Sequence, residues 1–182
     1  MDFIETYQID NDELMDLIID WFERNPTKTV GKSGIKGIYN PEFKDSVDCA
    51  LKGPLFDEYV KHLGVCLNRY KEKYPLCSNI VSQWSLCPAV NVQRYMPGGG
   101  YKILHCERES NSGECQHRHL VFMTYLNDVT DQGETFFYHQ KLKIQPVKGR
   151  TVIWPVDWTH AHCGIPSQSQ IKYIVTGWFN YV

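Results

Sequence analysis

Residues 172–179 read KYIVTGWF, and this stretch decides the fold. It is short, apolar, and rich in β-branched and aromatic residues, which is a strand composition. Alternation puts Lys172, Ile174, Thr176 and Trp178 on one face and Tyr173, Val175, Gly177 and Phe179 on the other. An ammonium inside so apolar a strand is costly without a partner, so Lys172 either faces outward or meets an anion inside. Thr176 beside it is compatible with a polar interior.

Working upstream, VNVQRY (90–95), HLVFMTYL (119–126), ETFFYH (134–139), KLKIQP (141–146) and TVIWP (151–155) have the same character. Turn signals separate them, with MPGGG at 96–100 and NDVTDQG at 127–133 the clearest. Six such strands in about 100 residues, with no helical pattern between them, predict a β-sandwich or jelly roll.

The first half reads differently. Leu14, Ile18, Trp21 and Phe22, with Leu17 beside them, have helical spacing behind an Asn11 or Asp10 cap, predicting a helix over 11–24 that ends near Pro26. A second helix is predicted from Leu55 to Tyr74 on Leu55, Tyr59, Leu63, Leu67 and Tyr70, bracketed by Pro54 and Pro75. Between them, Gly31, Gly34, Gly37 and Pro41 indicate loop with short strands. With no linker or repeat visible, the expectation is one domain over 1–182, with 1–80 a helical support region and 81–182 the catalytic strands.

Composition narrows the function. At 182 residues, 42% hydrophobic and 22% charged, the chain is neither disordered nor fibrous. No apolar run approaches the ~20 residues of a membrane span. The net charge of −2 argues against a nucleic-acid coat. It is unevenly spread: the first 25 residues hold eight acids and one base, the mark of a solvated helix face. Seven cysteines without a regular spacing make a poor disulfide framework, and MDFIETYQID resembles no secretory or transit leader. A reducing cytoplasm is the expected location.

The chemistry-bearing residues lie among the strands. His105 and Glu107 in ILHCERE are i and i+2, which on a strand puts both side chains on one side. WTHAHCGIP supplies His160 and His162. Two imidazoles and one carboxylate with open positions is the ligand set of non-haem Fe(II) oxygenases, whereas a zinc site would more often recruit thiolates. By parity His160 competes with His162 for the distal place. Cys106, alternating with the pair, is expected to pack away from it. Cys106, Cys115 and His117 lack the second pair a zinc site needs. His117 and His119 are expected as solvated strand positions. Lys141, Lys143, Lys148 and Arg150 are expected to solvate a hairpin, and Phe136, Trp154 and Trp158 to serve as core or rim.

Taken in order, RYMPGGGYKILHCE, RHLVFMTYLNDVTDQGETFF, KIQPVKGRTVIWPVDWTHAHCGIP and KYIVTGWF resemble the 2-oxoglutarate- and Fe(II)-dependent dioxygenases, in their prolyl 4-hydroxylase-like branch, over about residues 90–180. That family carries an HxD pair, a GGET turn, a PKKG-like turn, and a distal His followed by Pro at four and by Lys or Arg at ten. The resemblance implies a double-stranded β-helix (a cupin-like jelly roll), mainly β with N-terminal helices. It implies Fe(II) on His105, Glu107 and His162. It implies 2-oxoglutarate with its distal carboxylate on Lys172, Tyr95 and Thr135 as hydroxyl donors and Trp178 as a neighbouring aromatic, and ascorbate as reductant. Arg118 and Tyr101 would line the substrate side. The implied activity uses dioxygen to hydroxylate an unactivated C–H bond, first of all on a prolyl or other side chain of a peptide. The alternatives are a free amino acid, a small metabolite or an alkylated nucleobase, and, in a different class, a non-catalytic jelly-roll binding or viral structural module. HxE after the PGGG turn is similar to small stand-alone members of the family, making a phage or bacterial source the expectation.

Three departures stand out. Glu107 replaces the family's aspartate. Gln132 replaces the first turn glycine, and fits unless that position needs a positive φ. Tyr101 lies one residue further from His105 than in the animal and algal enzymes.

Overall fold

The structure is a computed structural model, and it describes residues 2–32, 39–111 and 113–182. Gly34 and Gly37 of the expected loop lie outside the described residues. Along the chain the elements are β1 (Glu5–Gln8), α1 (Asp12–Arg24), β2 (Thr29–Val30), β3 (Val47–Ala50), α2 (Pro54–Lys73), α3 (Leu76–Asn79), β4 (Trp84–Leu86), β5 (Asn91–Tyr95), β6 (Arg118–Tyr125), β7 (Thr135–Phe137), β8 (Leu142–Ile144), β9 (Arg150–Pro155), β10 (His162–Gly164) and β11 (Lys172–Tyr181).

Among the described residues the strands form two antiparallel sheets, in the manner of a double-stranded β-helix. The larger has the order β1-β9-β6-β11-β5-β3-β2, with β4 also pairing β11. The smaller has the order β10-β7-β8. β11 is central, pairing with β5, β6 and β4. Its alternation is realised as read: Val175 and Phe179 enter a core beneath the helices, whereas Ile174 and Trp178 join the core between the sheets. Gly177 stands mid-strand because a Cβ there would lie 2.6 Å from the Phe122 ring.

α1 begins where Asn11 Oδ1 accepts from the Leu14 amide at 3.0 Å, with Asp12 and Glu13 favourable at the helix N-terminus. Its buried stripe is Leu14, Met15, Ile18 and Phe22, while Leu17 is exposed. α2 buries Tyr59, Leu63, Cys66 and Tyr70 against the large sheet. Tyr59 OH bonds Thr124 Oγ1, which bonds Thr151 Oγ1, each at 2.7 Å, tying α2 to β6 and β9.

The first 80 residues are more than helical support. β1, β2 and β3 join the same large sheet, with β1 on the edge beside β9. At two to four residues these strands are too short to display alternation. No helix among the described residues is long and apolar enough to cross a membrane.

Candidate metal and co-substrate site

The larger sheet's inner face and the smaller sheet enclose a cavity of ≈ 210 Å³. His105, Glu107 and His162 line it, as do Tyr95, Tyr101, Arg118, Thr135, Lys172 and Trp178. Every residue singled out above for the site, apart from the competitor His160, therefore reaches one pocket.

His162 opens β10 and pairs with Phe137 of β7. His105 is not in a regular strand. It forms a single bridge to His162, each amide donating to the other's carbonyl (3.0 and 2.9 Å). Glu107 follows two residues on in the same irregular segment, its amide donating to the Val156 carbonyl at 3.0 Å. Ligating atoms of His105, Glu107 and His162 lie within 4.8 Å of one another. Glu107 Oε1 is 3.6 Å from His105 Nε2 and 3.4 Å from His162 Nε2.

Both imidazoles are oriented from behind. His105 Nδ1 is 3.0 Å from the Ile103 carbonyl and His162 Nδ1 is 2.9 Å from the His160 carbonyl. A carbonyl only accepts, so each Nδ1 carries the proton and each Nε2 lone pair faces the cluster. His105 also lies flat on Tyr101 (centroids 3.7 Å, planes 12° apart), and His162 meets Trp154 edge-on. Burial and the neighbouring His105 push the His162 imidazolium down in pKa, against the pull of Glu107, which favours the neutral ligand form. Burial pushes the Glu107 carboxyl up in pKa, but the two histidines beside it outweigh burial and hold it well below 4.5. Two Nε2 lone pairs and one carboxylate oxygen on one small cavity fit Fe(II) with open positions.

Lys172 resolves the question left by its strand. It faces inward, 4% exposed, across the ladder from Tyr95, with Nζ 5.3 Å from that ring. Nζ donates to the Gly133 carbonyl at 2.8 Å. Burial lowers its pKa to about 8, with Glu134 pulling the other way. Tyr95 OH donates to Gln93 Oε1 at 2.6 Å, and Thr135 Oγ1 bonds Tyr125 OH at 2.7 Å.

Other expectations need correction. His160 does not share a face with His162, because a 3-10 turn, Trp158–His160, breaks the strand parity. Its Nε2 donates to the Asp2 carbonyl at 2.8 Å, and its Nδ1 is 3.0 Å from Thr159 Oγ1. Cys106 lines the cavity rather than packing away, since the segment around it is irregular. His117 sits in a 3-10 turn, and His119 is half-buried, bonding the Cys77 carbonyl and Tyr181 OH. Lys148 of the basic strip pairs with Asp16 at 2.7 Å. Gln132 has φ +60°, so the substituted turn glycine stood where a positive φ is needed.

Reading the sequence missed a buried ion pair on the cavity wall. Lys44 Nζ is 2.7 Å from Asp48 Oδ2, and Ser46 Oγ donates to Asp48 Oδ1. KDSVD reads as solvated loop, so no pattern marked it. Gln93 of the same network was missed too, although its strand parity with Tyr95 could have marked it.

A mainly β jelly roll carrying two histidines, a carboxylate and a buried lysine in one cavity defines a class of metal-dependent oxygenases. The sequence pattern of the 2OG-Fe(II) oxygenase superfamily matches residues 90–180, and the chain belongs to that superfamily. It is a 2-oxoglutarate-dependent dioxygenase and takes Fe(II) and 2-oxoglutarate. No curated protein sequence matches the chain. Among solved structures, the fold is similar to a viral collagen prolyl hydroxylase from Paramecium Bursaria Chlorella virus-1 in complex with 2OG (TM-score 0.73, 23% identity, covering 99% of this chain and 97% of that one). It is also similar to a Pseudomonas putida prolyl-4-hydroxylase (0.72, 16%, 97% and 92%). A third is a Trichoplax adhaerens prolyl hydroxylase in complex with a hypoxia inducible factor oxygen degradation domain peptide fragment (0.77, 15%, 99% and 84%).

Proposed function

We propose that this chain hydroxylates a side chain of a peptide or protein, first of all a prolyl residue, acting as one domain in a reducing cytoplasm. His105, Glu107 and His162 would hold Fe(II), and Lys172 the distal carboxylate of 2-oxoglutarate. The observation that carries the reading is that this His-Glu-His cluster and the Lys172 ammonium open into one cavity. When bound, Fe(II) and 2-oxoglutarate supply oxidative decarboxylation to succinate and carbon dioxide, one dioxygen atom entering succinate and the other the substrate C–H bond.

The chain's own residues bind and orient. The Ile103 and His160 carbonyls fix the tautomers that present each Nε2. Glu107 offsets part of the cation's charge. Lys172 meets the dicarboxylate in a pocket where few waters compete, which strengthens a charge-assisted contact. Phe137, Trp154 and Ile174, all buried, keep water from that end. Tyr95 and Thr135 stand beside Lys172 with hydroxyls that can turn to the same carboxylate. The peptide reading is supported by the prolyl hydroxylases of similar fold and by the peptide in the Trichoplax complex.

The test is succinate release from 2-oxoglutarate under air with Fe(II), with mass spectrometry of the acceptor. Proline-containing peptides should gain one oxygen atom and drive turnover. Turnover with free proline or a methylated nucleobase, and none with peptides, would overturn the peptide assignment.

A further inference from the structure

Glu107 is one methylene longer than the aspartate of the family pattern, and its two carboxylate oxygens face different surroundings. Oε1 faces the imidazoles, at 3.6 and 3.4 Å. Oε2 is turned away, accepting from the Trp178 indole N–H at 2.8 Å with Arg118 Nη1 at 3.4 Å. The same Arg118 nitrogen donates to the Glu107 carbonyl at 2.6 Å. The Arg118 guanidinium lies 3.7 Å from the Trp178 ring centroid, so the two donors also hold each other.

We infer that Trp178 and Arg118 are positioning residues that clamp the outer oxygen of Glu107, so that this glutamate offers the metal one oxygen only. The inference rests on the metal site proposed above. A free glutamate has one more torsion than aspartate and can swing both oxygens onto one cation, consuming a position that co-substrate or dioxygen needs. The indole and guanidinium remove that freedom at the cost of fixing one rotamer. The Glu107 backbone is pinned on both sides, by Val156 and Arg118, so it cannot advance to help a shorter side chain. An aspartate here would be short by one C–C bond, about 1.5 Å. It could meet the imidazoles or the indole, but not both. Arg118 and Trp178 thus serve the ligand, in addition to lining the pocket.

The test is a double-substitution cycle read by Co(II) binding to the full chain, through visible absorption and competition with a chelator. Trp178→Phe keeps the ring but removes the N–H, and should weaken Co(II) about 10- to 100-fold and change its absorption, as loss of an outer-sphere partner does. Glu107→Asp should weaken it comparably. Adding Trp178→Phe to Glu107→Asp should cost no more than a further twofold or so, because the indole no longer has an oxygen to hold. Unchanged affinity and spectrum in Trp178→Phe, or an equal loss in both backgrounds, would overturn the clamp while leaving the metal site standing. Absence of Co(II) binding by the unsubstituted chain would remove both. Arg118→Lys, which loses the planar fork, carries the same cycle should Trp178→Phe not fold.

Discussion

The Lys172 ammonium donates to the Gly133 carbonyl across 2.8 Å, and burial brings its pKa down to about 8. Binding a carboxylate needs the charged form. Affinity for 2-oxoglutarate is therefore expected to be full below pH 8 and to fall as pH rises through it, approaching tenfold per unit. The stability of the ligand-free protein runs the other way. Its folded pKa lies below the ordinary 10.5, so the unfolded chain holds more protons between the two values. This group's contribution to stability rises with pH across that window. Dissociation constants for 2-oxoglutarate and thermal midpoints, each measured across the range, check both signs. A flat affinity profile, together with undiminished affinity in Lys172→Met, would show that Lys172 does not hold the co-substrate.

His162→Ala and His160→Ala should part company. The first removes a nitrogen that faces Glu107, and metal affinity should fall by more than the 10- to 100-fold that loss of an outer partner costs. The second removes side-chain contacts with Asp2 and Thr159 but leaves the His160 carbonyl that orients His162, costing about 1 kcal/mol of stability with metal affinity kept. Calorimetric metal titration and thermal melts decide it. Lost metal binding in His160→Ala would reverse the assignment.

The turn that presents Gly133 to Lys172 is strained at its first residue. Gln132 at φ +60° bears about 1–2 kcal/mol of left-handed strain, and Gln132→Gly relieves it while restoring some unfolded-state freedom. A net gain of about 0.5–1 kcal/mol is expected in denaturant unfolding. Gly133→Ala should do the opposite, because φ is +83° and a Cβ would lie 2.8 Å from Val129 Cγ1.

Tyr59→Phe tests how the helices are fastened to the sheet. Its hydroxyl is fully buried and ends the chain through Thr124 to Thr151. Its loss should cost about 1–3 kcal/mol in chemical denaturation, with metal affinity unchanged.

β11 shows why so much of the site was legible. The two-residue period put Lys172, Ile174, Thr176 and Trp178 on one face and left its direction open; the resemblance, through the ten-residue offset from His162, implied that this face turns inward, and it does. The errors came where backbone periodicity stops. The 3-10 turn ending at His160 defeated a parity argument that assumed a strand, and the irregular segment at Cys106 did the same. β1 was invisible because four residues, ETYQ, carry too little pattern, and its place is set by pairing with β9 across the whole chain. The Trp178–Glu107 contact joins residues 71 positions apart that only packing brings together, and the Lys44–Asp48 pair, four residues apart, sits in a segment whose sequence gives no sign that it is buried.

The reciprocal bridge between His105 and His162 bears on when the site forms. These residues are separated by 57 positions, and the two hydrogen bonds that join them are made by backbone amides and carbonyls, not by the ligating side chains. The entropy of closing that loop is spent in folding, and the cation inherits a finished socket. Stripping the metal with a chelator should leave the chain folded. Restoring it should raise the melting midpoint only through mass action, in step with the free metal concentration.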